Sequence, residues 1–141
     1  DQLRRNGLSP RRRRQPQLAR HGNLTHLHTP ITAETHGQPV LALAEQLHPT
    51  PAVAGLPRQT AQDWIDENES MDRGWYAAPV GWMTPNGDGE FRVALRSALL
   101  TSNALTLFAG GGIVDGAEPE HELAETATKF EALLGALDLT P

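Results

Sequence analysis

The stretch Gly74-Trp75-Tyr76-Ala77-Ala78-Pro79-Val80-Gly81-Trp82-Met83-Thr84-Pro85-Asn86-Gly87-Asp88-Gly89-Glu90-Phe91-Arg92-Val93-Ala94-Leu95-Arg96-Ser97-Ala98-Leu99-Leu100 reads as two extended segments about a turn. Pro85-Asn86-Gly87-Asp88-Gly89 concentrates the residues that impose or tolerate turn geometry, and Asn-Gly suits the positive φ of a tight hairpin. Residues 74–84 and 90–100 are therefore expected as strands joined by that turn. A short third strand is expected over 104–109, after Thr101-Ser102-Asn103, and Gly110-Gly111-Gly112 ends it.

Outward from this hairpin the period changes to helical. Upstream, Val40, Leu41, Ala44 and Leu47 recur at helical spacing, and Pro49 and Pro51 stop that helix. Pro57 suits the first turn of a second helix, on which Ala61, Trp64, Ile65 and Asn68 share a face. Residues 23–32 alternate as a strand does, with Leu24, His26 and His28 on one side and Leu27 and Ile31 on the other. Residues 1–22, broken by Pro10, Pro16 and Gly22, read as the end of an element followed by a linker. Downstream, residues 118–137 are expected as a helix. Leu123, Ala127, Phe130, Leu134 and Leu137 form its apolar stripe, and Glu118, Glu122, Glu125 and Lys129 lie on a neighbouring one. A helix pair, then strands in sequence, then a helix, without β-α-β alternation, places the fold in the α+β class.

Composition narrows the chemistry. The 141 residues suffice for one domain or part of a larger one. The absence of cysteine excludes a disulfide framework, a thiolate metal site and a cysteine nucleophile. With 21% charged residues and no apolar run near the roughly 18 needed to cross a bilayer, no membrane partner is expected. The chain begins with Asp1 in a polar stretch that lacks the apolar centre of a secretory signal, so it is expected to start within a longer protein. The net charge of −5 conceals seven arginines against Asp1 within residues 1–20 and sixteen acids against five bases in the remainder. A basic arm of this kind can release counterions from nucleic acid. Nothing aromatic interleaves Arg11, Arg12, Arg13 and Arg14 to stack on bases, however, so a solvated linker is the simpler reading and no nucleic-acid partner is expected.

Three features carry candidate chemistry. His26-x-His28 puts two imidazoles on one strand face, without the third ligand of a preformed zinc site. Gly110-Gly111-Gly112 lacks the lysine and hydroxyl residue of a phosphate loop; it is either a tight turn or a place where backbone amides closely approach an anion. Glu122 and Glu125, three apart on a helix, project two carboxylates suited to a hard cation, but two are too few for a complete site. The alternative is a solvated face with a Glu125–Lys129 pair.

The ordered segments His48-Pro49-Thr50-Pro51-Ala52-Val53-Ala54-Gly55-Leu56-Pro57, Asp72-Arg73-Gly74-Trp75-Tyr76, Gly81-Trp82, Gly87-Asp88-Gly89-Glu90-Phe91, Leu95-Arg96-Ser97-Ala98, Phe108-Ala109-Gly110-Gly111-Gly112-Ile113-Val114 and Glu122-Leu123-Ala124-Glu125-Thr126 resemble the chorismate-binding enzymes. The resemblance runs from about His21 to the C-terminus, and the His-Pro-Thr-Pro-Ala segment resembles the isochorismate synthase branch. It implies an anthranilate synthase component I-like fold of antiparallel strands packed with helices, of which residues 23–141 form the C-terminal part and residues 1–22 the linker and the end of an upstream element. It further implies a cytoplasmic isomerase, monomeric or weakly homo-oligomeric when intact, that converts chorismate to isochorismate with Mg2+ in menaquinone or siderophore biosynthesis. Salicylate- or anthranilate-type chemistry, or a non-catalytic dicarboxylate-binding remnant, are the alternatives.

By the same resemblance Glu125 matches a magnesium ligand with Glu122 beside it. Arg96 matches an arginine that grips a substrate carboxylate, and Gly110 and Gly112 a carboxylate cradle. Tyr76, Ala52 and Val53 match positions lining the ring pocket, and His26 a histidine near the substrate. The family's base lysine, acid glutamate and a further magnesium-binding glutamate lie on segments upstream of those present, so no catalytic residue is assigned here and the 141 residues alone are expected to be inactive. Ala78 stands where the family commonly has glycine.

Overall fold

The computed structural model describes residues 2–21 and 24–138. In chain order it contains α1 (Gln2–Arg5), β1 (Arg11–Arg12), β2 (Gln17–His21), β3 (Leu24–His28), β4 (Ile31–Thr32), α2 (Val40–Leu47), α3 (Pro51–Ala54), α4 (Arg58–Asn68), β5 (Pro79–Met83), β6 (Gly89–Val93), β7 (Ser97–Leu100), β8 (Leu105–Phe108) and α5 (Pro119–Ala136). The strands pair two by two, β1 with β4, β2 with β3, β5 with β6 and β7 with β8. The protein is α+β, as its patterning implies. Contacts divide it into two units, Asp1–Leu47 with Met83–Gly89, and His48–Trp82 with Glu90–Pro141.

In the first unit β2 and β3 are antiparallel, with Leu18 opposite Leu27 and Ala19 opposite His26, and β1 and β4 pair with Arg12 opposite Ile31. The linker reading of residues 17–21 is corrected here. Gln17–His21 has little apolar alternation, and what makes it a strand is a partner that satisfies its backbone groups. The strand expected over 23–32 is interrupted at Thr29-Pro30, where proline supplies no donor to a ladder; Asn23 lies outside the described residues. The expected turn is present. Thr84 N–H donates to the Asp88 carbonyl over 2.7 Å and Gly87 N–H to the Thr84 carbonyl over 2.9 Å, with Gly87 at φ 88°. The Gly87 carbonyl then accepts from Val40 N–H at 2.8 Å, which anchors the start of α2.

The second unit holds the remaining candidate residues. Pro51 does not merely stop the preceding helix; it occupies the first turn of α3, which ends as Gly55 N–H donates to the Pro51 carbonyl at 2.9 Å. In α4, Ala61, Gln62, Ile65 and Glu69 just beyond its end are the half-buried positions, while Trp64, expected on the inner face, is exposed.

The two long strands expected on either side of the hairpin are shorter than their sequence pattern. Residues 74–78 form a turn, in which Tyr76 N–H donates to the Arg73 carbonyl at 2.7 Å and Ala77, buried, takes φ 65°. The ladder is continued by Ala77 N–H to the Ala94 carbonyl and Ala94 N–H to the Ala78 carbonyl, both 2.9 Å. The expected strand 90–100 divides into β6 and β7 at Arg96, whose φ of 48° lies in the left-handed region and cannot continue a strand. β7 then pairs with β8, Ser97 opposite Phe108 and Leu100 opposite Leu105. Among the described residues, no helix is long and apolar enough to cross a membrane.

Candidate active site

Helix α5 turns only part of its apolar stripe, Phe130 and Leu134, inward. Leu123 is 72% exposed and Ala127 is exposed, whereas Glu122, Thr126, Lys129, Phe130, Leu133 and Leu134 are half-buried. The inner face therefore begins polar at the N-terminal end of the helix and becomes apolar toward its C-terminal end, and the polar part meets the glycine loop that follows β8. A β-carbon on Gly111 would stand 2.7 Å from the Glu122 Oε2 atom and 3.9 Å from Thr126 Oγ1. One on Gly110 would stand 2.9 Å from the Tyr76 hydroxyl oxygen. At these two positions a side chain would force its neighbours aside, so glycine allows a phenol and a carboxylate to approach the same short piece of backbone.

Tyr76 is fixed on its other side by Phe108, with ring centroids 5.5 Å apart and planes 18° from parallel, a stacked pair. Burial raises the Tyr76 pKa above its ordinary value; the positive charge of Arg73 opposes that shift and the negative charge of Glu69 adds to it. The phenol is thus held as a neutral donor and acceptor.

Arg73 organises the opposite wall. Its Nε donates to Glu69 Oε2 at 2.7 Å, its Nη2 forms a short ion pair with Glu69 Oε1, and its Nη1 donates to the Val53 carbonyl at 2.9 Å. One planar guanidinium thereby binds a carboxylate with two nitrogens and ties α3 to the turn carrying Tyr76. The hydrogen bond from Arg73 lowers the Glu69 pKa against the opposing effect of burial, with the arginine charge adding to the lowering. Nearby, Arg58 Nη2 donates to the His48 carbonyl at 2.6 Å. The His48 imidazole is held below its usual pKa, first by burial and then by the Arg58 charge. A cavity of about 310 Å³ lies among His48, Val53, Ile65, Arg73, Tyr76 and Ala78. A larger one of about 700 Å³ lies among Arg73, Tyr76, Val93, Ser97, Ala98 and Phe108. Tyr76 and Arg73 line both.

The structure brings Tyr76, Gly110 and Glu122 together, and places Val53 on the wall of the smaller cavity. Glu125 Oε1 forms an ion pair with Lys129 Nζ at 2.7 Å, and the same nitrogen donates to the Gly110 carbonyl at 2.9 Å. Ala52 is exposed on α3, Gly112 is exposed beyond Gly111, and Arg96 is half-buried at the bend between β6 and β7; Ala52 and Arg96 line neither cavity. His26 lies on β3 in the first unit, and its side chain is outside what the structure describes. Sequence reasoning missed Glu69, Thr126 and the Arg73 contacts. The i,i+4 spacing of Glu69 and Arg73 was the available signal.

The donor set fits a hard cation. Glu122 and Glu125 offer carboxylate oxygens about one helical turn apart, and Lys129 links Glu125 to the Gly110 carbonyl. Among the described residues no group of three or more His, Asp and Glu side chains converges on one point, and two carboxylates alone do not complete the six or more oxygens such a cation takes.

Known proteins resemble this chain over most of its length. The profile of a family described as chorismate binding enzyme matches residues 1–138. The salicylate biosynthesis isochorismate synthase of Pseudomonas aeruginosa is 50% identical over 133 residues, covering 89% of this chain and 28% of the relative. The isochorismate synthase MenF of Bacillus subtilis is 45% identical over 123 residues, covering 86% and 26%. A crystal structure from Bacillus anthracis, of a protein assigned as a 2,3-dihydroxybenzoate-specific isochorismate synthase, superposes with a TM-score of 0.90 at 37% identity, over 99% of this chain and 38% of that one. The chain thus spans about a quarter to a third of the length of the curated relatives it matches.

Proposed function

The chain belongs to the chorismate-binding enzyme family, and from this premise we propose that it forms the substrate- and metal-holding part of an isochorismate synthase. The observation that carries the reading is the convergence of the Tyr76 hydroxyl, the Gly110-Gly111 backbone and the Glu122 carboxylate, in a chain half identical to a protein named for that activity. The reaction adds water at one ring carbon of chorismate and expels hydroxide from another, so atoms balance without a second substrate. Proton transfer at both centres needs a base and an acid.

Chorismate carries two carboxylates, and the site must hold both before ring chemistry starts. The guanidinium of Arg96 would take one in a bidentate contact, and the backbone amides of Gly110 and Gly112 would take the other. Tyr76, stacked on Phe108, would present its neutral hydroxyl beside that second carboxylate, with Val53 and Ala52 on the wall set by Arg73. Glu122 and Glu125 would hold Mg2+, which when bound neutralises a substrate carboxylate and polarises the ring substituents. Lys129, bonded to Glu125 and to the Gly110 carbonyl, is engaged as an ammonium and does not serve as the base. The 141 residues by themselves would therefore bind chorismate without turning it over. Service in menaquinone or in siderophore synthesis is supported by relatives named for each, MenF of Bacillus subtilis and the vibriobactin-specific isochorismate synthase of Vibrio cholerae.

The test is a chimera in which this chain replaces the matching segment of the Pseudomonas aeruginosa relative, incubated with chorismate and Mg2+. Formation of isochorismate without pyruvate supports the reading. Pyruvate release or ammonia incorporation assigns the chain to a salicylate-type or anthranilate-type enzyme instead.

A further inference from the structure

Lys129 is the only lysine in the sequence, and its side chain is 13% exposed on a helix whose Glu125 neighbour is 60% exposed. A lysine on a solvated helix face would keep its ammonium in water; this one places Nζ between a carboxylate oxygen at 2.7 Å and a backbone carbonyl oxygen at 2.9 Å. Carboxylate and carbonyl oxygens are the donors that a hard divalent cation selects. The ammonium therefore makes, with the same helix and the same loop, contacts of the kind such a cation makes.

Resting on the reading of Glu122 and Glu125 as the divalent-cation pair, we propose that Lys129 is a resident counter-ion that competes with the divalent cation for Glu125 and tethers Glu125 to the glycine loop. The two carboxylates and one ammonium leave the cluster with one net negative charge. A divalent cation entering beside the ammonium meets repulsion as well as attraction, and Glu125 must exchange one cation for the other. With Lys129 neutralised, its positive charge no longer offsets the glutamates or repels the metal. Lys129 thus sets how weakly the site holds magnesium by itself, and its bond to the Gly110 carbonyl couples that affinity to the position of the loop that would receive a carboxylate.

The sign of this effect separates it from a structural role. Magnesium chloride is titrated calorimetrically into the 141-residue chain and into Lys129→Met, Lys129→Gln and Lys129→Arg, each checked by far-ultraviolet circular dichroism. The two neutral variants are expected to bind Mg2+ more tightly, on the order of tenfold, since a like charge within a few ångströms has been removed, and Lys129→Arg to stay near the parent. Lys129→Gln keeps a donor for the Gly110 carbonyl, so it tests the charge if Lys129→Met fails to fold. A parent that binds Mg2+ and folded neutral variants that bind no more tightly would overturn this proposal alone. Absence of Mg2+ binding in the parent and every variant would overturn the metal reading and this proposal with it.

Discussion

An oxygen of the Glu122 carboxylate lies so close to the backbone of Gly111 that a β-carbon there would be 2.7 Å away. That separation is shorter than any relaxed contact, so only a glycine lets the end of the Glu122 side chain lie where it does. Gly111→Ala should leave the helices and strand pairs intact while pushing Glu122 out of place. Calorimetric Mg2+ affinity is expected to fall about tenfold, because a carboxylate ligand moved by about an ångström no longer meets the ion's geometry, with little change in thermal midpoint. Unchanged affinity would mean that Glu122 is a surface residue.

Glu125→Gln removes a charged oxygen while keeping shape. On the metal reading it should weaken Mg2+ binding by at least tenfold. Since the Glu125 side chain is largely exposed, its ion pair with Lys129 contributes only a few tenths of a kcal/mol, and unfolding in urea should barely change. Retained Mg2+ affinity in a folded variant would dismiss Glu125 as a ligand.

Arg96 holds a backbone conformation that costs an L side chain roughly 1 kcal/mol or more. Arg96→Gly removes that backbone cost together with the side chain's own interactions and should abolish chorismate binding, whereas Arg96→Lys keeps the charge, loses the planar fork and weakens chorismate binding with less effect on Mg2+. Denaturation, run beside the chorismate titration, shows that each variant is folded. An Arg96→Gly variant that binds chorismate as the parent does would remove Arg96 from the site.

The Glu69–Arg73 pair provides a pH test. The folded-state pKa of Glu69 is lowered, chiefly by the Arg73 hydrogen bond. Its stabilisation is therefore complete above the ordinary carboxylate pKa and is lost as pH falls through the lower folded value. Glu69→Gln should cost about 1 kcal/mol at neutral pH, a figure kept small because both side chains are about a quarter exposed. The difference from the parent should vanish at acid pH in urea titrations, and a difference that persists there would show that the loss is not one of charge.

Much of this was legible in the chain. Val40, Leu41, Ala44 and Leu47 specify α2 by spacing alone, and Asn86-Gly87 specifies the turn because that turn requires a positive φ. What was not legible depends on partners. Residues 17–21 form a strand through pairing with β3, not through an apolar pattern of their own. The break at Arg96 reflects a backbone angle that its residue type does not announce. The face of α5 was misread because an amphipathic stripe is sought against an apolar core, and here the N-terminal half of the helix faces a polar glycine loop, leaving Leu123 outside and Glu122 and Lys129 inside. Tyr76, Gly110 and Glu122 could each be named in advance by resemblance. That they converge, and that Arg73 bridges Glu69 to Val53, required the fold.

The decisive measurement is product analysis of chorismate incubated with Mg2+ and the chimera that carries this chain in place of the matching segment of the Pseudomonas aeruginosa isochorismate synthase, with liquid chromatography resolving the products. Isochorismate is expected to accumulate without release of pyruvate, and Glu125→Gln within the chimera to eliminate the product. A folded chimera that binds chorismate yet releases pyruvate, or whose Glu125→Gln variant makes as much isochorismate as the unsubstituted chimera, would contradict that expectation.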